Sequence, residues 1–355
     1  MKKISIVSFT RNGTELCYRV TSELKSLEYE VAAFAMEKHI QECKRGSAIE
    51  ANIKPLSGKL KMWTEEQFKT ADAIIYIGAT GIAVRAIAPY VKNKSSDPAV
   101  IVLDEKANFV IPLLSGHIGG ANELAIQLAS SLHSVPVITT ATDLNGLFAV
   151  DVFAVKNHLF IANMEFAKRI SAAVLKHEEV GIASDIELKG ALPDYIAPAK
   201  GQEYGIRISL NEKDNLFSKT LHLIPRVITL GIGCKRGKSL EEIESLVLKV
   251  LKQHQISIHA VRNVATIDLK KDEQGLLAFC EKYKLELTIY TSSQLEEVSG
   301  SFTESEYVKT VTGVGNVCER AAILGSGYGQ MIQEKTAKDG VTVSVTRREQ
   351  VIYFE

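Results

Sequence analysis

Residues 71–85 read ADAIIYIGATGIAVR. The apolar run across 71–78 has the length of a strand and ends on a glycine, the pattern of a strand buried on both faces. Past Gly78-Ala79-Thr80-Gly81, residues 81–90 return to helical spacing until Pro89 interrupts it. Strand, glycine turn and helix in that order form the repeating unit of a parallel sheet.

The same rhythm extends to either side. Upstream, residues 3–9 read as a strand, 14–27 as a helix with Leu16, Val20, Leu24 and Leu27 on one face, and 30–36 as a second strand. Thr64, with Gln67 three residues on, reads as the N-cap of a short helix. Downstream come strands at 99–103 and 108–114, a helix at 120–132, and the strand VPVITT at 135–140. Residues 1–145 are therefore expected to form an α/β domain whose mostly parallel sheet is covered on both faces. Residues 146–224 carry frequent turn residues (Gly181, Gly190, Pro193, Pro198, Gly201, Gly205) and one clear helix near 164–176, which predicts a small α+β middle segment. A second α/β domain is expected over 225–355. It has a strand at 226–230, a helix from Ser239 to about Gln253 with Glu242 completing a capping box, strands at 264–269 and 285–290 around a helix at 272–283, and a helix at 316–325. A terminal hairpin around Lys338-Asp339-Gly340 ends it.

Bulk composition agrees with more than one domain: 355 residues, 46% hydrophobic and 24% charged. Lys plus Arg and Asp plus Glu each number 42, so the formal charge is zero and the basic excess typical of nucleic-acid binding is absent. The apolar run of MKKISIVSFT stops at Thr10-Arg11-Asn12-Gly13, too early for a signal peptide, and no window has the length of a membrane span. The five cysteines are scattered and never form C-x-x-C, which points to reduced thiols in a cytoplasmic protein without a zinc site. The histidines form no H-x-x-x-H or H-E-x-x-H pattern, so no metal or cofactor site built by the protein is expected.

Four segments join a strand to a helix through glycines: 77–85, 113–125, 229–242 and 311–322. Glycine lets backbone approach a ligand, and a helix start offers free N–H groups to an anion. Nucleotide motifs fail here. Gly231-Ile232-Gly233 finds its third glycine at Gly237, one residue late for a dinucleotide fingerprint, and Gly237-Lys238-Ser239 ends like a P-loop whose opening position is Ile232. The basic residues Arg85, Lys235, Arg236, Lys238 and Arg320 at these turns fit a ligand with several carboxylates. The contacts expected are Gly78, Thr80, Gly81 and Arg85; Ser115, Gly116, Gly119, Gly120 and Asn122; Gly233, Lys235 and Arg236; and Gly315, Asn316 and Arg320. Acid–base candidates are His117 in SGHIGG, with Asp143, Asp104 and Glu123.

Taken together, GATGIAVRAIAP (78–89), DPAVIVLDEKANFVIPLLSGHIGGANELA (97–125), TTATD (139–143), GIGCKRG (231–237) and TGVGNVCERAA (312–322) resemble the CbiG family, the cobalt-precorrin-5A hydrolases of anaerobic cobalamin biosynthesis. The resemblance implies an anionic tetrapyrrole substrate that brings its own cobalt, and other enzymes of that pathway as partners. It implies hydrolytic opening of a δ-lactone made from the ring A acetate, with loss of acetaldehyde to give cobalt-precorrin-5B. On this reading His117 activates water and the N–H groups of Gly119 and Gly120 receive the oxyanion. Two other readings stay open from sequence. The GIGCKRG domain also resembles a stand-alone protein of the aerobic pathway, which suits a non-catalytic carrier of corrin intermediates. A nucleotide-dependent oxidoreductase is the third reading, with the failed glycine motifs against it.

Overall fold

The computed structural model describes residues 2–44, 52–93 and 96–354. The chain divides into two compact units, Met1–Gly146 and Leu147–Glu355.

The first unit is a seven-stranded sheet. Its strands are β1 (Lys3–Ser8), β2 (Glu30–Ala35), β3 (Ile53–Pro55), β4 (Ala73–Ile77), β5 (Ala99–Leu103), β6 (Phe109–Leu114) and β7 (Val135–Pro136), in the order 3-2-1-4-5-6-7. All neighbours are parallel except β5 and β6. Helices α1 (Arg11–Ser26), α2 (Glu37–Lys44) and α5 (Ala121–Leu132) cover one face over Ile4, Ile6, Ile75, Ile77 and Ile101. Helices α3 (Leu60–Thr70) and α4 (Thr80–Ile87) cover the other over Val7, Ile74, Tyr76, Val100 and Val102. Both faces of the central strands are thus buried, which is why they read as continuous apolar runs. A short α6 (Ala141–Leu144) ends the unit.

The direction of β6 decides the placement of the site. It follows β5 through a hairpin and runs antiparallel to it, with Leu114 opposite Val100. The loop after β6 therefore emerges at the amino edge of the parallel strands, not at their carboxyl edge. At about 3.3 Å per residue, a five-residue strand separates the two edges by roughly 17 Å.

Two local expectations are corrected. Thr64 is no N-cap: it lies inside α3, buried, with its hydroxyl 2.9 Å from the Tyr76 hydroxyl. VPVITT pairs as a strand only at Val135–Pro136, because this is an edge position and Pro136 brings no N–H to a ladder.

The second unit holds two five-stranded sheets and a separate two-stranded one. After α7 (Val150–Lys156) come β8 (Leu159–Ile161), α8 (Met164–Leu175), β9 (Val180–Ser184), β10 (Leu188–Lys189), β11 (Ile196–Pro198), β12 (Tyr204–Ile208) and β13 (Lys219–Pro225). Five of these strands form a sheet ordered 11-9-12-13-8. The last sheet is ordered 16-15-14-18-17. It is built from β14 (Ile228–Cys234), β15 (Val261–Ile267), β16 (Glu286–Tyr290), β17 (Gln330–Lys338) and β18 (Val341–Arg347). Helices α9 (Leu240–Gln253) and α10 (Gln274–Tyr283) pack on one face. The capping box of Ser239 and Glu242 starts α9 as read. Short α11 (Ser292–Glu296) and α12 (Glu306–Thr312) lead to α13 (Cys318–Gly325), which lies on the other face.

GIGC is not a turn: it completes β14. A Cβ on Gly231 would lie 1.8 Å from the Cys318 carbonyl oxygen, so this glycine lets α13 approach the sheet. The chain end also departs from the expected 225–355 domain. β19 (Ile352–Tyr353) pairs with β10, and Ile352 and Phe354 join the core of the middle sheet.

Candidate functional site

The loop leaving β6 is closed by its own backbone. The carbonyls of Ser115, Gly116 and His117 accept from the N–H groups of Ala121 (3.2 Å), Asn122 (3.0 Å) and Gly120 (2.9 Å). Ser115 is left-handed at φ 55°, and its buried hydroxyl donates to the Asp97 carbonyl at 3.0 Å. Such tight closure needs the glycines: a Cβ on Gly119 would stand 2.5 Å from Ser115 Cβ, and one on Gly116 2.7 Å from Asn122 Oδ1. The loop also corrects the expected oxyanion site. The Gly120 N–H is already bonded to His117, leaving Gly119 alone of the expected pair.

The closed loop presents His117 to the chain that follows α5. β7 runs parallel to β6, so residues 137–143 arrive at the same edge. His117 Nε2 stands 3.1 Å from Asp143 Oδ2, in the first turn of α6. Asn122 Nδ2 donates to the same oxygen at 2.7 Å and to Thr140 Oγ1 at 3.0 Å. Thr142 Oγ1 lies 3.4 Å from His117 Nε2. An ionised carboxylate can only accept, so Asp143 sets the proton on Nε2 and makes Nδ1 the basic nitrogen. The His117 side chain is 13% exposed and that of Asp143 35%, so the pair is held yet reachable. The Lys2 ammonium is close by, 3.2 Å from where a Gly120 Cβ would sit. Thr140, Thr142 and Lys2 were not singled out in the sequence; the signal available was TTATD, where only Asp143 was taken.

Asp104 does not join this cluster. It sits at the opposite edge, where its carboxylate accepts from the N–H groups of Lys106 (3.0 Å) and Phe109 (2.7 Å) and shapes the β5–β6 hairpin. Glu123 is exposed in the first turn of α5 on the side of Tyr29, whose hydroxyl is pushed up by burial and then by the Glu123 charge. Gly78, Thr80, Gly81 and Arg85 share the Asp104 edge, with the Arg85 guanidinium folded over Gly81. They flank the switch point between β1 and β4, where the chain reverses direction across the sheet. Thr10 and Asn12, after β1, complete that edge and both reach Glu105, at 2.7 and 3.5 Å. The Thr10-Arg11-Asn12-Gly13 cap of α1 was legible only as the end of a strand.

In the last sheet, Gly233 makes room for Thr342 Oγ1, which would be 2.6 Å from its Cβ. Lys235 is tied by its N–H to the Gly340 carbonyl at 2.8 Å. The Arg236 side chain is 92% exposed at the mouth of a cleft of about 680 Å³ lined also by Lys238, Ser239, Glu273 and Gln274. Burial raises the Glu273 carboxyl, but the Gly237 N–H and Lys270 outweigh it and hold it below the usual range. Gly315, Asn316 and Arg320 have internal work instead of an open face. A Cβ on Gly315 would strike Glu304. Asn316 is buried against the Thr303 carbonyl and Glu319, and Arg320 bonds the carbonyls of Leu295, Glu296 and Val298 and pairs with Glu304 at 2.9 Å. These three side-chain positions fasten the loop before α13, which corrects their reading as substrate contacts.

The sequence has clear relatives. Residues 62–143 match the family described as Cobalamin synthesis G N-terminal, 148–225 the Cobalamin biosynthesis central region, and 228–346 the Cobalamin synthesis G C-terminus. The chain belongs to the CbiG family. It is 33% identical to the cobalt-precorrin-5A hydrolase of Priestia megaterium, over 96% of this chain and 94% of that protein. It is equally 33% identical to the cobalt-precorrin-5A hydrolase of Salmonella typhimurium, over 97% of each. A crystal structure of a cobalamin biosynthesis protein G homologue from Sulfolobus solfataricus matches 98% of this chain and 97% of its own, with 24% identity and a TM-score of 0.43.

Proposed function

We propose that the chain is a cobalt-precorrin-5A hydrolase, which opens the ring A δ-lactone with water and releases acetaldehyde to leave cobalt-precorrin-5B. Its family membership and full-length likeness to proteins of that name support the reading. The observation that carries the chemistry is the His117–Asp143 pair on the closed loop, braced by Asn122.

Asp143 orients the imidazole, and His117 takes a proton from the attacking water. The water oxygen bonds to the lactone carbonyl carbon, and the developing oxyanion is met by the Gly119 N–H and the nearby Lys2 ammonium. Collapse breaks the ester C–O bond, returns the acetate carboxylate and frees an alkoxide on the bridging carbon. That alkoxide becomes the carbonyl of acetaldehyde as the carbon–carbon bond to the macrocycle breaks. The electron pair stays on the macrocycle, which then takes up a proton. Cobalt enters as part of the substrate.

Acetaldehyde release from cobalt-precorrin-5A, measured anaerobically, tests the assignment. His117→Ala is expected to lose roughly a hundredfold or more in turnover, the usual scale for a general base. Asp143→Asn, which keeps the shape and loses the charge, is expected to fall between it and the parent. Full turnover by His117→Ala would remove His117 from the mechanism.

A further inference from the structure

A second cleft, of about 950 Å³, lies wholly within the second unit, at the amino end of β14. It opens between the residues after β9, including Asp185 and Glu187, and the Ser326–Gly329 turn that joins α13 to β17. Its volume is at the upper end of the roughly 300–1,000 Å³ of small-molecule sites.

The charges in it are unbalanced in a specific way. The acids on one wall are already paired, Asp185 with Arg207 at 2.5 Å and Glu187 with Lys189 at 3.4 Å. On the other wall Arg347 and Arg348 make no ion pair among the described residues. Arg348 donates one Nη2 bond to the Gly325 carbonyl, while its Nε is buried with no partner. Burial, and then the charge of Arg262, hold its guanidinium below the usual arginine range. Glu349, exposed beside them, is the one acid of the lining without an ion pair among the described residues.

The turn facing these arginines is built to be rigid. Ser326 Oγ accepts from the Gly329 N–H, Tyr328 N–H donates to the Ile323 carbonyl, and a Cβ on Gly329 would stand 2.4 Å from the Arg347 carbonyl oxygen. It holds Tyr328 in the left-handed region at φ 61° with the residue 68% exposed on the rim. A non-glycine residue kept in that region marks a place where surrounding structure overrides local preference.

We propose that this cleft binds a tetrapyrrole-sized polycarboxylate, with Arg347 and Arg348 taking carboxylate arms and Tyr328 offering its ring to the macrocycle. Guanidinium forks match carboxylates in bidentate geometry, and an exposed aromatic ring suits a flat conjugated ligand. The inference rests on the tetrapyrrole reading above and adds a contact site that none of the glycine turns supplies.

The test is the affinity of the full chain for uroporphyrin, a tetrapyrrole bearing acetate and propionate arms, followed by fluorescence anisotropy. Arg347→Gln is expected to weaken binding about fivefold with an unchanged thermal midpoint, and Glu349→Gln to tighten it about twofold, as loss or gain of one charge contact does. Lys249→Gln, an equal charge change on exposed α9 outside the cleft, is expected to leave the affinity alone. The gain in Glu349→Gln cannot come from misfolding. An unchanged affinity in both Arg347→Gln and Arg348→Gln, or no uroporphyrin binding by the parent chain, overturns the proposal. If the parent releases acetaldehyde while Arg347→Gln and Arg348→Gln both bind like the parent, the cleft inference fails alone. If no acetaldehyde appears but the charge variants shift affinity as stated, the hydrolase reading fails and the cleft stands.

Discussion

Asn122 does more for the proposed chemistry than its place in a helix suggests. Its side chain is buried at the start of α5 and donates both to Thr140 and to the Asp143 oxygen that faces His117. Without it, Asp143 keeps its short helix and His117 as its side-chain partner among the described residues. Asn122→Ala is therefore expected to destabilise the first unit by roughly 1–3 kcal/mol, the cost of leaving buried partners unmet. A carboxylate that wanders by an ångström is expected to lower turnover by about ten- to a hundredfold. Thermal denaturation and acetaldehyde release check the two effects separately, and an active, stable variant would show that Asp143 needs no brace. His117 and Asp143 were each legible in the sequence because a histidine among glycines and an acid closing TTATD are unusual. Their meeting was not, since it depends on β7 running parallel to β6. Asp104 and Glu123 looked equivalent to Asp143 for the same reason: local sequence does not say at which edge, or on which side of a helix, a carboxylate emerges.

At the scale of elements, glycine was the ambiguous signal. Gly231 and Gly237 belong to the same motif and serve different ends. Gly237 has φ 77° and nothing within 4 Å of a Cβ, so it supplies a turn, whereas Gly231 sits in β14 under the first turn of α13. Gly231→Ala is expected to push α13 off the sheet and cost about 3 kcal/mol or more, the upper end of overpacking in a core. Gly237→Ala is expected to cost only about 1–2 kcal/mol for the left-handed backbone. Denaturant midpoints of the two variants compare them directly; equal losses would mean that α13 yields easily. The strand–turn–helix rhythm was well marked because central strands buried on both faces have no polar alternation to confuse them. The reversal at β6 was hidden, because a hairpin of Asp104–Asn108 and a crossover look alike until the partner strand is known.

Over the whole molecule, the chain end is the feature that sequence placed least well. After β18 the last residues leave their sheet: β19 pairs with β10 in a separate two-stranded sheet, and Ile352 and Phe354 join the core of the middle sheet. Asn157 receives them, bonding the Tyr353 N–H at 2.9 Å and the Tyr353 carbonyl at 3.0 Å. Phe354 then stacks on Phe153, with ring centroids 4.7 Å apart. No local pattern announces a two-residue strand, so the sequence reading ended with the hairpin around Lys338-Asp339-Gly340. Phe354→Ala is expected to destabilise the second unit by about 3 kcal/mol, as removal of a buried phenylalanine does. An unchanged melting temperature would mean that the middle core closes without the tail. The α/β class and the succession of the segments were legible, since both follow from the spacing of apolar runs.

Hydrolysis of cobalt-precorrin-5A by this protein is tested most directly by the acetaldehyde formed per tetrapyrrole consumed by the purified chain under anaerobic conditions. Protein-dependent release in a one-to-one ratio is expected. Retention of the corrinoid by the protein with no acetaldehyde formed would contradict it and make the chain a carrier.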